Sequence, residues 1–234
     1  MKLFFDTEFT GLRQNTTPIS LGIVSEDGKK FYAEFVDYDR NQCSDWILEN
    51  VIRNMKFHEP MFEQEAQDFV RLNRKSKIPY DRPKEHYIIT DDKNLLYERI
   101  YSVFHAKTDG YGYTEVFGDT KWICENLMEW IRQFNTIQFV SDVCHYDFVL
   151  LIDLLTNGGT ALDLPENISA VCHDLNADIA RHFHISDREA FDMSREQIMF
   201  DVCNGGVFLD GDKHNSLYDA GVIKAIYEGI GYDL

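Results

Sequence analysis

Three observations predict an α/β protein in which helices flank a mixed β-sheet. Apolar runs of strand length alternate with stretches whose apolar residues recur at helical spacing. The second and third apolar runs are joined by a tight-turn sequence, which makes that pair antiparallel. Helical segments dominate after position 119, on either side of one further strand-like run, as in a layered α/β domain.

Each element has its own warrant. Residues 2–5 (Lys-Leu-Phe-Phe) are a short apolar run that stops at Asp6, the pattern of a buried strand. Ile19 to Val24 and Lys30 to Val36 read as two strands, and Asp27-Gly28 between them is a hairpin signal because glycine reaches positive φ without steric penalty. Residues 44–74 look helical, divided by Pro60. The segment at about 75–118 is an elaboration with Pro79 and Pro83, a strand at 87–90, a helix near 93–104 and a Gly- and Tyr-rich end. Asp119-Thr120 is a good N-cap. The residues after it, Ile123, Leu127, Trp130, Ile131 and Phe134, fall on one helical face. Ile137 to Val140 reads as a central strand, and 146–156 as a helix beginning near Asp147. Turn signals at Gly158-Gly159, Gly205-Gly206 and Gly211 surround a helix expected at 174–184. A last helix, 216–228, offers Ala220, Val222, Ile223 and Ile226 for burial. Without repeats or a composition break, residues 1–234 are expected to form one domain, elaborated at about 75–118.

Composition narrows the function. At 44% hydrophobic and 14% aromatic, the chain can bury a sizeable core. No stretch approaches the roughly 18–20 apolar residues that span a bilayer. Met1-Lys2-Leu-Phe-Phe5 meets charge at Asp6 and does not read as a signal peptide, so a cytoplasmic protein is expected. The five cysteines are odd in number, scattered and without a CxxC pair, which predicts reduced, mostly buried thiols. A net charge of −17 opposes the basic footprint of a phosphate-binding protein. A carboxylate site loaded with cations inverts that field locally, however. A basic run of Arg71, Arg74, Lys75, Lys77, Arg82 and Lys84 could serve as a strand-binding patch or as a solvated loop. His173, His182 and His184 lack partners at zinc spacing. Tyr111, Tyr113, Phe117 and Trp122 read as core rather than base-stacking residues.

The chemistry gathers around Asp6-Thr7-Glu8. Spacing of i, i+2 at the end of a strand points both carboxylates to one side, where they repel unless a cation lies between them. Hard cations such as Mg²⁺ or Mn²⁺ favour such oxygen ligands. Farther along stand Ser141-Asp142-Val-Cys-His-Tyr-Asp147-Phe-Val-Leu-Leu151, after the central strand, and His214-Asn-Ser-Leu-Tyr-Asp219, opening the last helix. The run Phe5-Asp6-Thr7-Glu8-Phe9-Thr10-Gly11-Leu12 and these two segments together resemble the three motifs of DEDDh 3′-to-5′ exonucleases, closest to the compact bacterial and phage exoribonuclease branch. The resemblance covers roughly 1–36 and 119–229.

That resemblance implies an RNase H-like fold and two Mg²⁺ or Mn²⁺ ions. Asp6, Glu8, Asp147 and Asp219 would be the ligands, and His214 the general base. Thr10, Gly11 and Leu12 would contact the terminal nucleotide through backbone groups and apolar stacking. Asp142 departs from the family pattern. It competes with Asp147 for the ligand role, but Asp147 is preferred because it opens a helix, and Asp142 is placed with the substrate contacts. The expected partner is nucleic acid, RNA before DNA, with an exodeoxyribonuclease as the alternative and a non-catalytic binding module behind it. A homodimer through 75–118 is compatible with the sequence, which does not show one.

Overall fold

The computed structural model describes residues 1–57, 60–62, 86–89, 95–100, 105–205 and 207–231. The basic run at 71–84 lies outside these described residues. Ten strands are β1 (Lys2–Phe9), β2 (Pro18–Ser25), β3 (Lys30–Phe35), β4 (Pro60–Phe62), β5 (His86–Ile89), β6 (Leu95–Ile100), β7 (His105–Thr108), β8 (Tyr113–Gly118), β9 (Gln138–Ser141) and β10 (His173–Asp174), counted among the described residues. The helices are α1 (Asp45–Asn50), α2 (Thr120–Ile131), α3 (Cys144–Thr156), α4 (Leu175–Phe183), α5 (Asp187–Asp192), α6 (Arg195–Val202) and α7 (Ser216–Ile230).

Seven strands form one mixed sheet in the order β10-β9-β1-β2-β3-β8-β7. β2 is antiparallel to β1 and β3, while β9 is parallel to both β1 and β10, and β8 is parallel to β3. The expected fold class is met: this mixed sheet flanked by helices is compatible with an RNase H-like fold. β4, β6 and β5 form a separate three-stranded sheet.

The alternation of β1 explains the two layers. Leu3 and Phe5 point into a core shared with Ile123 and Leu127 of α2 and Phe148 and Leu151 of α3. Phe4 points the other way, into a second core with Ile179 of α4, Ile198 of α6 and Val222, Ile223 and Ile226 of α7. By the same parity Asp6 and Glu8 share the α7 face, and Thr7 faces α3. The hairpin turns where expected, with Gly28 at φ 89°. Asp119 caps α2 by accepting from the Trp122 N–H, as its position predicts.

Several expectations are corrected. Of the helix expected near 93–104, the described residues Leu95–Ile100 are instead strand β6, which pairs on both edges with β4 and β5. Helix-favouring Leu, Glu and Arg do not prevent this, because a strand paired on both sides satisfies its backbone tertiarily. Of 44–74, the described part holds only the short α1, a 3₁₀ turn at Ile52–Asn54 and then β4, which begins at Pro60. Helices α5 and α6 lie in a region expected to be turns. The five cysteines are free but half-buried rather than buried. No helix among the described residues is long and apolar enough to cross a membrane.

Candidate active site

β1 lies inside the sheet between β2 and β9, so the side chains at its C-terminal end sit above the centre of the fold. Two groups of potential metal ligands assemble there among the described residues: Glu8, His214 and Asp219, and Asp6, Asp142 and Asp147. Within each group the ligand atoms lie no more than 4.8 Å apart. The five residues singled out from the sequence therefore converge from β1, the first turn of α3 and the entry to α7.

Asp147 is held from two sides. The Thr7 hydroxyl donates to its Oδ1 at 2.7 Å and the Ser141 hydroxyl to its Oδ2 at 2.6 Å. Asp219 accepts the His214 backbone N–H at 2.8 Å, so the residue five positions earlier is tied to its own helix turn. His214 itself lies just outside the helix, whose N-cap is Asn215. Its Nδ1 stands 3.8 Å from Glu8 Oε1, and its ring lies edge-on to half-exposed Trp46 with centroids 4.9 Å apart.

Asp142 is not at the surface. It is buried near Asp6 and Asp147, and its Oδ2 accepts from Arg195 Nε at 2.5 Å. Arg195 also donates to Asn176 Oδ1 at 2.6 Å and to the Ala190 and Met193 carbonyls. One negative charge of the cluster is thus neutralised internally. Sequence reasoning missed Arg195, since nothing in Ser194-Arg195-Glu196 signals a partner on another element. It also missed Gly22, opposite Asp6 in the β1–β2 register, where a Cβ would stand 2.3 Å from backbone atoms of Ser216 and Leu217. A lone glycine inside an apolar strand was the available signal.

Thr10 is buried, its hydroxyl donating to Gln42 Oε1 at 2.7 Å. Its backbone N–H goes to the Thr17 carbonyl and that of Gly11 to the Thr16 hydroxyl, so both have internal partners. Leu12 is 73% exposed and its side chain faces solvent. A cavity of about 1010 Å³ lies beside the cluster, not at it: Tyr32, Tyr113, Asn215, Tyr218 and Lys224 line it, and none of the five converging residues does.

The electrostatics follow from burial. Asp6 and Glu8 are driven well above the usual carboxylate range, by burial first and then by the neighbouring acids. Burial raises Asp147 to about 7, against the pull of the Ser141 and Thr7 hydroxyls. Asp219 is likewise raised to about 7 by burial, opposed by the His214 N–H. His214 is lowered by burial and by Lys213, with Glu196 acting in the other direction. Bringing several acids together where water cannot screen them is unfavourable, and a divalent cation relieves it.

A mixed sheet carrying buried carboxylates and an imidazole at the end of its central strands defines an α/β protein with an acidic, metal-compatible centre. Its relatives are consistent with that class. The chain is similar to two 3′-5′ exoribonucleases of Mycobacterium tuberculosis, from strain CDC 1551 / Oshkosh and from strain ATCC 25618 / H37Rv. Each is 35% identical over 52 residues, which is 22% of this chain and 31% of the relative. The match thus spans about a third of the relatives' length, and this partial similarity supports a link to exonucleases. No protein-family model matches the chain.

Proposed function

We propose that this chain is a cytoplasmic, divalent-metal-dependent 3′-to-5′ exonuclease of the DEDDh type that acts on RNA ends. The observation that carries the reading is the convergence of Asp6, Glu8, Asp147, Asp219 and His214 from three distant segments. The donor set fits a hard cation: four carboxylates, all raised by burial, in Asp147 and Asp219 against the pull of their own hydrogen bonds, and one imidazole. Asp6, Glu8, Asp147 and Asp219 would hold Mg²⁺ or Mn²⁺. When bound, such ions neutralise charge on the attacking and leaving oxygens of a phosphodiester.

The remaining work falls to the protein's own groups. With its proton affinity lowered by burial, His214 is neutral near pH 7 and can take a proton from the attacking water. Thr7 and Ser141 fix the Asp147 carboxylate, and Arg195 pairs with Oδ2 of Asp142, partly neutralising the further acid that lies within reach of Asp6 and Asp147. Exposed Leu12 and Trp46 supply apolar faces on which a terminal base can stack. Phe9 and Tyr146, stacked with centroids 5.5 Å apart, are a further aromatic surface beside Asp147. RNA is favoured because both similar proteins are named exoribonucleases and because a polar site can hydrogen-bond a terminal 2′-OH.

The test is incubation with 3′- and 5′-labelled RNA and DNA oligomers in Mg²⁺, Mn²⁺ or EDTA. Stepwise shortening of RNA from the 3′ end, abolished by EDTA, is expected. Equal or faster shortening of matched DNA would move the protein to the exodeoxyribonuclease reading, and no shortening of either polymer would sink the nuclease assignment.

A further inference from the structure

His214 adopts φ 65°, the left-handed region that a non-glycine residue occupies only when its surroundings hold it there. Both of its chain neighbours are gripped by asparagine amides. The Lys213 carbonyl accepts from Asn54 Nδ2 at 2.7 Å. Asn215 accepts from the Leu217 and Tyr218 N–H groups at the start of α7, and its own Nδ2 donates to the Asn54 carbonyl at 3.0 Å and to Tyr32 Oη at 3.3 Å. The second hydrogen of Asn54 Nδ2 goes to the Asn50 carbonyl at 2.8 Å, so the orientations of both amides are fixed.

The far end of this network is rigid. Tyr32 Oη donates to Glu34 Oε1 at 2.5 Å, and the same fully buried carboxylate accepts the backbone N–H groups of Lys56 and Phe57. β3, the turn after α1 and the entry to α7 are therefore joined around the peptide units that flank His214. The Trp46 ring beside the imidazole comes from α1 itself, so the same network sets that contact.

We propose that Asn54 and Asn215 are positioning residues that hold His214 left-handed with Nδ1 towards Glu8, anchored by Tyr32 and Glu34. This rests on the reading of His214 as the general base. Relaxation of His214 to an ordinary φ would swing the imidazole away from Glu8 and Asp219 while leaving the carboxylates in place.

The experiment uses Asn54→Ala, with Tyr32→Phe as a smaller change that deletes one oxygen. The first readout needs no activity: the His214 imidazole proton resonances of the metal-free protein, assigned with His214→Gln. In the parent the Trp46 ring current displaces them; in Asn54→Ala they move towards the values of a solvent-exposed histidine. The second is turnover of a labelled RNA oligomer with Mn²⁺. Asn54→Ala is expected to lower kcat about tenfold or more with KM nearly unchanged, a part of what losing a base costs. In a His214→Ala background the same change should leave kcat within about twofold, since coupled groups are not additive. An equal loss in both backgrounds would assign Asn54 a purely structural role and overturn the proposal, as would unmoved resonances. If the parent cleaves neither RNA nor DNA, the nuclease reading falls, and the resonances alone decide whether Asn54 holds the histidine.

Discussion

Gly22→Ala probes how α7 delivers half of the site. Gly22 pairs with Asp6 across β1 and β2, and the first turn of α7 rests directly on it. A Cβ at this position would stand 2.3 Å from the Ser216 carbonyl carbon and oxygen and from the Leu217 nitrogen, whereas ordinary contact begins at 3.4 Å. All three are backbone atoms, so no side chain can rotate away and the helix start must retreat by about 1 Å. That retreat also lengthens the buried 2.9 Å hydrogen bond between the Ser20 and Ser216 hydroxyls. Overpacking of this kind costs about 1–3 kcal/mol, and a shift of about 1 Å in His214 and Asp219 relative to Asp6 and Glu8 costs about 10²-fold in rate. Urea unfolding reads the first quantity. Turnover of RNA at saturating Mn²⁺, well below the unfolding midpoint, reads the second. Gly28→Ala is the control: it sits at φ 89° in the hairpin with open space around it, so it should cost stability of about 1 kcal/mol without touching turnover. A Gly22→Ala protein with parental stability and turnover would refute the argument that this close approach sets the site.

Changes of charge at the site have further expected outcomes. The raised carboxyls make the metal-free protein more stable when they are protonated, so its melting temperature should fall as the pH rises through about 7, where Asp147 and Asp219 ionise. Mn²⁺ at a concentration about a hundredfold above its dissociation constant at pH 8 should then add about 2.7 kcal/mol, or about 5–10 °C, and the same concentration should add less at pH 5.5, where protons compete for the carboxylates, by calorimetry. Asp6→Asn should abolish turnover yet raise the melting temperature of the metal-free protein at pH 8, because a carboxyl whose ionisation is opposed by burial and by the neighbouring acids is gone; a fall would contradict the charge argument. Asp147→Ala should remove activity. Asp142→Ala should instead destabilise by about 3 kcal/mol by leaving the Arg195 guanidinium without its carboxylate, and Asp142→Ala combined with Arg195→Met should recover most of that loss in chemical denaturation.

Local patterns in the sequence were enough for the elements whose signals are local. Asp27-Gly28 specified the hairpin, and Asp119 with its apolar spacing specified α2. The apolar face of α7 lies buried where periodicity put it. Asp6, Glu8, Asp147, His214 and Asp219 could be named because their type and spacing repeat a known pattern within short runs. What the sequence left open depends on partners far along the chain. β6 is a strand because β4 and β5 flank it, against the helical preference of its own residues. Asp142 is a paired, buried acid because Arg195 arrives from α6, 53 positions later. His214 stands left-handed because Asn54 reaches Lys213 across 159 positions. Short-range rules fix backbone propensity and side-chain direction, whereas hydrogen-bond partners and electrostatic environment arise only when the chain closes on itself. The raised carboxyls belong to that second kind, since burial and neighbouring charge are properties of the folded site and not of any residue alone.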